Sequence, residues 1–501
     1  PPPAESLRHR KAAKAAPSES MEGKLIEERF AKLEQALVAA ETNYNECLDT
    51  VWMLMATMLV FFMHAGFTLI EAGSVRVKAA QHILAKNLCV LTVGLLCWYA
   101  LGYPLAYGLD LSKFPGHSGF ALIGVIRSGG ALRVWLQQAA FCATSVAIVS
   151  GAMAERTLVK GFLAYAVVMA SVIYPIVVHW AWSGSGIFDY DEGGTRQSLI
   201  GGPPLVDFAG SGVVHLVGGV GALCGAAVVG PRDGRFDAAT AQNLEMATQF
   251  DAKSMPFIVM GTLFLWFGWF GWNAGSVSDM HSLASAQTAG VVSVNTALAP
   301  CMSGLMVFAF RRKMQSPLVN DLRGFCNGIL AGLVAISASA ATVMHWEALL
   351  IGLFAGVVYE SASALVRRAG VDDVVDAFAV HGACGFWGVM APGFFGSVDI
   401  DGNGILHGGD QLLTQLFAAA VIAAWVAGLS LLVLIPLRLA GVLRQAEGLQ
   451  KALEREFATM VKAFERALAS SRSSIRPPTD SASSSKDARP GEELRYTITS
   501  V

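Results

Sequence analysis

The sequence predicts an all-α membrane protein with eleven transmembrane helices, arranged as two inverted five-helix repeats plus one extra helix. Three observations lead there. Of 501 residues, 54% are hydrophobic and 15% charged, with a mean hydropathy of +0.50; a soluble chain carries about a quarter charged residues. Apolar runs of ~20 residues, the length of a helix crossing ~30 Å of hydrocarbon, recur eleven times along the chain. Two of them, the fifth and the tenth, each hold an acid and a histidine in Gly-rich apolar surroundings: Asp207 with His215, and Asp376 with His381. The net charge of −2 implies no general attraction to nucleic acid. The eight cysteines form no CxxC pair and read as small packing residues. No metal or cofactor is expected.

The first 47 residues are polar, carry no secretory apolar core, and are expected outside the cell. Within them Ile26, Phe30, Leu33, Leu37, Ala40, Tyr44 and Cys47 recur at heptad spacing, which predicts an amphipathic helix with a coiled coil as the alternative. The membrane domain, 48–440, holds runs near 50–70, 88–108, 132–153, 161–182, 207–229, 255–276, 285–310, 324–343, 345–366, 376–396 and 411–437. The first ends on Glu71-Ala72-Gly73-Ser74 and the sixth on Asn273-Ala274-Gly275-Ser276. This echo, with the two histidine runs, marks two five-helix halves, and an odd number of helices inverts the second half in the membrane. Inverted repeats commonly place a transport site near the midplane between them. His64, inside the first run, is expected to make a structural hydrogen bond at a helix or subunit contact, because a lipid-facing imidazole is costly.

Lys and Arg concentrate after odd-numbered runs (Arg76, Lys78, Lys86, Arg156, Lys160, Arg232, Arg235, Lys253, Arg311, Arg312, Lys313, Arg323, Arg367, Arg368). Only Lys113, Arg127, Arg133 and Arg196 lie on the other side. That asymmetry predicts an outer N-terminus and a cytoplasmic C-terminus. The acidic loops Asp189–Glu192 and Asp399–Gly404 read as solvated turns; the second lacks the closing Glu of a Ca²⁺ loop. Residues 441–469 are expected to form a cytoplasmic amphipathic helix, and the Ser-rich tail 470–501 to be disordered.

One buried histidine is more often a satisfied packing residue than a functional one, but a matched pair at corresponding rank is not what packing alone produces. Together with Gly151-Ala-Met-Ala-Glu155-Arg156, the Gly268–Ser276 block and Val371-Asp372-Asp373-Val-Val-Asp376-Ala-Phe-Ala-Val-His381-Gly-Ala-Cys384, these stretches resemble the Amt/MEP/Rh ammonium transporter family, in its Amt branch, over roughly 50–437. The resemblance implies a plasma-membrane homotrimer with one pore per subunit, passing ammonium or ammonia, with methylammonium as a further candidate. It implies recruitment of NH₄⁺ at Trp182 and Ser276, a gate formed by Phe141 and Trp272, pore histidines His215 and His381, and supporting roles for Asp207 and Asp376. The chemistry is reasonable: an aromatic face attracts a cation, a hydroxyl accepts its hydrogen bond, and a carboxylate near a helix start caps it.

The sequence also departs from the family pattern. Trp272 stands where the second gate ring is usually Phe, Gln137 where an aromatic usually precedes Phe141, His64 where Gln is usual, and Val90 where Asp is familiar. The tail lacks the family's Gly-Leu-Asp…His-Gly-Glu segment, which puts control by PII-type regulators in doubt. A membrane-embedded enzyme is not expected, since no nucleophile, third ligand or phosphate loop accompanies the histidines. The alternative is an ammonium sensor built on the same membrane domain; the 441–501 segment is too short for a kinase.

Overall fold

A computed structural model describes residues 21–108, 119–123, 129–188, 198, 200–314, 321–397, 400, 402–445, 459–462 and 465–466. Its described residues up to Gln445 form one unit of eleven long helices. These are α1 (Met21–Ser74), α2 (Val77–Tyr107), α3 (Gly129–Ala152), α4 (Val159–Trp182), α5 (Ser211–Val229), α6 (Met255–Ala274), α7 (Leu283–Met314), α8 (Leu322–Ile336), α9 (His345–Arg368), α10 (Phe378–Phe395) and α11 (Gln411–Leu439). All but α8 are long and apolar enough to cross a membrane. From 446 onward only the helical residues 459–462 and 465–466 are described; the rest of the predicted cytoplasmic helix and the whole Ser-rich tail lie outside the described residues. So do residues 1–20, Asp189–Glu192, and Asp399 and Asp401.

Three boundaries differ from the sequence reading. The predicted N-terminal helix is a continuous extension of α1, with Leu33 and Leu37 exposed. Helix α2 begins about three turns earlier than the apolar run, at Val77, with Lys86 buried inside the bundle and not in a loop. Helix α8 stops at Ile336 instead of continuing to 343. Its broken end is tolerated at membrane depth because its backbone groups find protein partners. Ser211 Oγ donates to the Val334 carbonyl at 2.7 Å and accepts from the Ala338 amide at 2.8 Å. The amides of Phe208 and Ala209 bond the carbonyls of Ala338 and Ser337.

Two helix crossings organise the core. Helix α1 runs along α6 with Gly66 facing Gly261, where a methyl group on either would press on the other's carbonyl. Helix α5 crosses α10 at Gly219 and Gly382, so closely that a side chain at Gly219 would fall on the opposing backbone. Small residues at such contacts let membrane helices approach backbone to backbone. The second crossing brings the two histidine helices together.

Candidate functional site

Each histidine sits in a π-helical stretch, Ser211–Leu216 in α5 and Phe378–Ala383 in α10. Single wide turns of this kind recur at functional sites. Both are launched the same way. Eight residues before His215, Asp207 Oδ2 accepts from the amides of Gly212 (3.0 Å) and Val213 (2.8 Å). Eight residues before His381, Asp373 Oδ2 accepts from the Phe378 amide at 2.7 Å. Five residues before each histidine the backbone is left-handed, at Gly210 (φ 88°) and at Asp376 (φ 60°). That conformation is ordinary for glycine and tolerated by aspartate.

The equivalent of Asp207 is therefore Asp373, which the sequence reading passed over. Equal spacing to the histidines was the signal that could have found it. Burial, then the nearby charge of Asp376, pushes the Asp373 carboxyl up to about 6. Asp376, singled out from sequence, instead accepts from Tyr359 (3.1 Å) and Ser363 (3.0 Å), tying the start of α10 to α9.

The ring residues form a file through the bundle. Trp182, half-buried, donates its indole N–H to the Asp207 carbonyl at 2.8 Å and lies 6.1 Å from Phe141. Phe141 stacks on Trp272 at 4.1 Å and 28°. Trp272 is held by its N–H to the Ala209 carbonyl (2.7 Å) and stacks against His215 at 5.3 Å. His215 stacks on His381 at 5.2 Å, with their Nδ1 atoms 3.2 Å apart, and His381 lies 6.0 Å from Phe67. A bond between two ring nitrogens requires one with a proton and one without, so the pair cannot be doubly cationic in this geometry. His215 Nε2 is buried without a protein partner.

Ser276 sits just past the end of α6, its hydroxyl donating to the Trp272 carbonyl at 3.0 Å. Gln137, in the place of an aromatic, donates to the Gly275 carbonyl at 2.9 Å and so fastens α3 to the end of α6. Trp269, unnoticed in the sequence, also stacks on His215, at 5.1 Å and 19°, lies 5.8 Å from Trp272, and places its N–H on Ser337 Oγ. His64 lies off the file. Its ring faces the Ala140 carbonyl of α3, and its Nε2 is buried without a protein partner. Among the described residues no His, Cys, Asp or Glu cluster could hold a metal ion.

The model of the Ammonium Transporter Family matches residues 51–456. The ammonium transporter Amt2 of Archaeoglobus fulgidus is 35% identical over 76% of this chain and 80% of its own length. Ammonium transporter 1 member 3 of Solanum lycopersicum is 34% identical over 71% and 76%. Among solved structures, one described as a sensor Amt protein superposes with a TM-score of 0.72 at 29% identity, covering 81% of this chain and 96% of its own. Candida albicans Mep2 superposes with a TM-score of 0.69 at 27% identity, covering 80% and 87%. With a family model spanning most of its length and relatives above 30% identity, the chain belongs to the ammonium transporter family.

Proposed function

We propose that the file of rings is the ammonium path, with Trp182 and Ser276 recruiting NH₄⁺ and the histidine pair carrying the molecule past the gate. The observation that carries this reading is the pair of buried imidazoles, joined Nδ1 to Nδ1 at 3.2 Å directly beneath the Phe141–Trp272 stack. A desolvated cation is expensive in such surroundings, whereas neutral ammonia is not. NH₄⁺ therefore rests at the outer mouth, where an aromatic face and a hydroxyl replace part of its water, and gives up its proton before the gate. The stacked rings must part for ammonia to pass. Beyond them His215 and His381 supply a donor and an acceptor along an otherwise apolar stretch, and the shared nitrogen bond offers a proton a route across. Asp207 and Asp373 hold the two helix starts that aim the imidazoles.

The same reading places the protein in the cell membrane as a homotrimer, with its C-terminus in the cytoplasm, on the strength of the loop cations and the family resemblance. The likeness to a protein described as a sensor favours a second reading, in which the membrane domain reports ammonium instead of moving it. Flux separates them. In proteoliposomes the parent should carry ammonium, and His215→Ala or His381→Ala should lower the flux about tenfold or more, or change its selectivity, in a folded protein; general acid–base groups typically contribute that much. Parent-like flux and selectivity in both variants would remove the histidines from the path.

A further inference from the structure

The buried pair Glu71 and Lys86 has no part in the path described so far. The two side chains are 3% and 1% exposed, with Lys86 Nζ 3.5 Å from Glu71 Oε2 and donating to the Ser150 carbonyl at 2.9 Å. Charges at this depth in a membrane protein are costly and tend to mark ion paths. Below His381 lies a small cavity of about 30 Å³, lined by His381, Glu71 and Asn327 among apolar side chains such as Phe67, Ile148 and Val375. That is room for a single water-sized occupant, and NH₄⁺ is of that size. Glu71 is the carboxylate of this lining, whereas Lys86 lies behind it, over the Phe162 ring at 5.4 Å. The repeat gives the position its meaning: Glu71-Ala-Gly-Ser ends α1 at the inner mouth as Asn273-Ala-Gly-Ser ends α6 at the outer mouth, beside Trp272 and Ser276.

We propose that this cavity is an inner cation site, in which the Glu71 carboxylate accepts hydrogen bonds from NH₄⁺ at the cytoplasmic end of the path. The inference rests on the ammonium reading above. A bare carboxylate would hold the cation too tightly to let it leave. With Lys86 behind it, the cation meets only the negative end of a buried dipole, and conduction needs binding of that modest strength. Lys86 is a positioning residue: from 3.5 Å it holds the Glu71 carboxylate and draws part of its charge away from the lumen.

The test is Glu71→Gln combined with Lys86→Met, which removes both charges and leaves neither stranded. In oriented proteoliposomes, ammonium efflux from the cytoplasmic face should need a roughly fivefold higher concentration for half-saturation, the scale of one lost hydrogen bond. Influx at saturating outer ammonium should change less. Parent-like concentration dependence from both faces would overturn the proposal and make the pair a scaffold. Should the double variant fail to fold, Glu71→Asp keeps the charge but withdraws it by one methylene, and the same directional change is expected; its absence is equally contrary. If the parent itself moved no ammonium, the path would fall separately. The inner site would then be read from thermal stabilisation by NH₄⁺ in a Trp182→Ala, Ser276→Ala background. Loss of that stabilisation on adding the double change supports the site, and its persistence contradicts it.

Discussion

Trp272 shows how much a single residue would decide in the proposed path. Its ring stacks on Phe141 on one side and on His215 on the other, and its N–H is spent on the Ala209 carbonyl. Phenylalanine at this position would present less ring and release the tether. Trp272→Phe is expected to raise the ratio of methylammonium to ammonium flux and to cost about 0.5–1.5 kcal/mol of stability; equal flux ratios in the two proteins would count against a gating role. That His215, His381, Phe141, Trp272 and Ser276 come together was legible in the sequence because they fall in recognisable local blocks. Trp269 and the partner of Gln137 were not, since both are defined by what faces them across the bundle. Lys86 was misread for a related reason: a count of loop cations assigns position along the chain, and only packing reveals a lysine turned inward onto a glutamate.

At the scale of elements, the start of each histidine helix is set by a carboxylate eight residues upstream. Asp373→Ala should cost about 1 kcal/mol through the lost cap and lower flux by displacing His381, whereas Asp373→Asn should preserve most of both. Equal flux in Asp373→Ala and parent would argue that the cap is purely structural. Helix α1 supplies a second case. The buried imidazole of His64 faces the Ala140 carbonyl where α1 meets α3. His64→Gln, which keeps a donor there, should therefore be tolerated, and His64→Leu should cost roughly 1–3 kcal/mol by leaving that carbonyl facing an apolar side chain. An intact His64→Leu protein whose transport has lost a pH dependence would instead place His64 in the conduction machinery.

The loop before α10 carries a third. Asp372, nearly fully buried, takes Arg232 by a bidentate contact, at 2.8 Å to Nε and 3.0 Å to Nη2. Burial alone would raise its carboxyl, but the Arg232 hydrogen bond and charge, with Arg156 nearby, hold it at about 2. A depressed acid stabilises the fold above its ordinary value and loses that contribution as pH falls through the depressed one. Stability measured by thermal unfolding should therefore be insensitive to this group down to about pH 4 and fall between about pH 4 and 2. Asp372→Asn should be less stable at neutral pH and lack that acid limb.

For the whole molecule, apolar runs disclosed nearly all of the architecture, because a helix in hydrocarbon must be long and apolar whatever it packs against. The exceptions are the places where helix partners stand in for the bilayer. Helix α8 breaks at Ile336 because Ser211 satisfies its open end, and no pattern within 324–343 encodes a hydroxyl from another helix. The two-fold logic of the repeat was legible from Ala-Gly-Ser and the histidines, yet its strictest expression, the shared spacing of Asp207 and Asp373, was hidden beside the more conspicuous Asp376. The excess of Lys and Arg after odd-numbered runs predicts the orientation. A label that does not cross membranes, attached at the C-terminus, should react only from the cytoplasmic side, and labelling from outside would invert the arrangement.

The most direct measurement of the central claim is ammonium flux and current recorded together in proteoliposomes, for the parent and for a His215→Ala, His381→Ala double variant of equal assembly. A path through the ring file predicts robust ammonium flux in the parent, with the double variant losing that flux or its selectivity over other monovalent cations. Unchanged flux and selectivity in the double variant would show that ammonium takes another way through the protein.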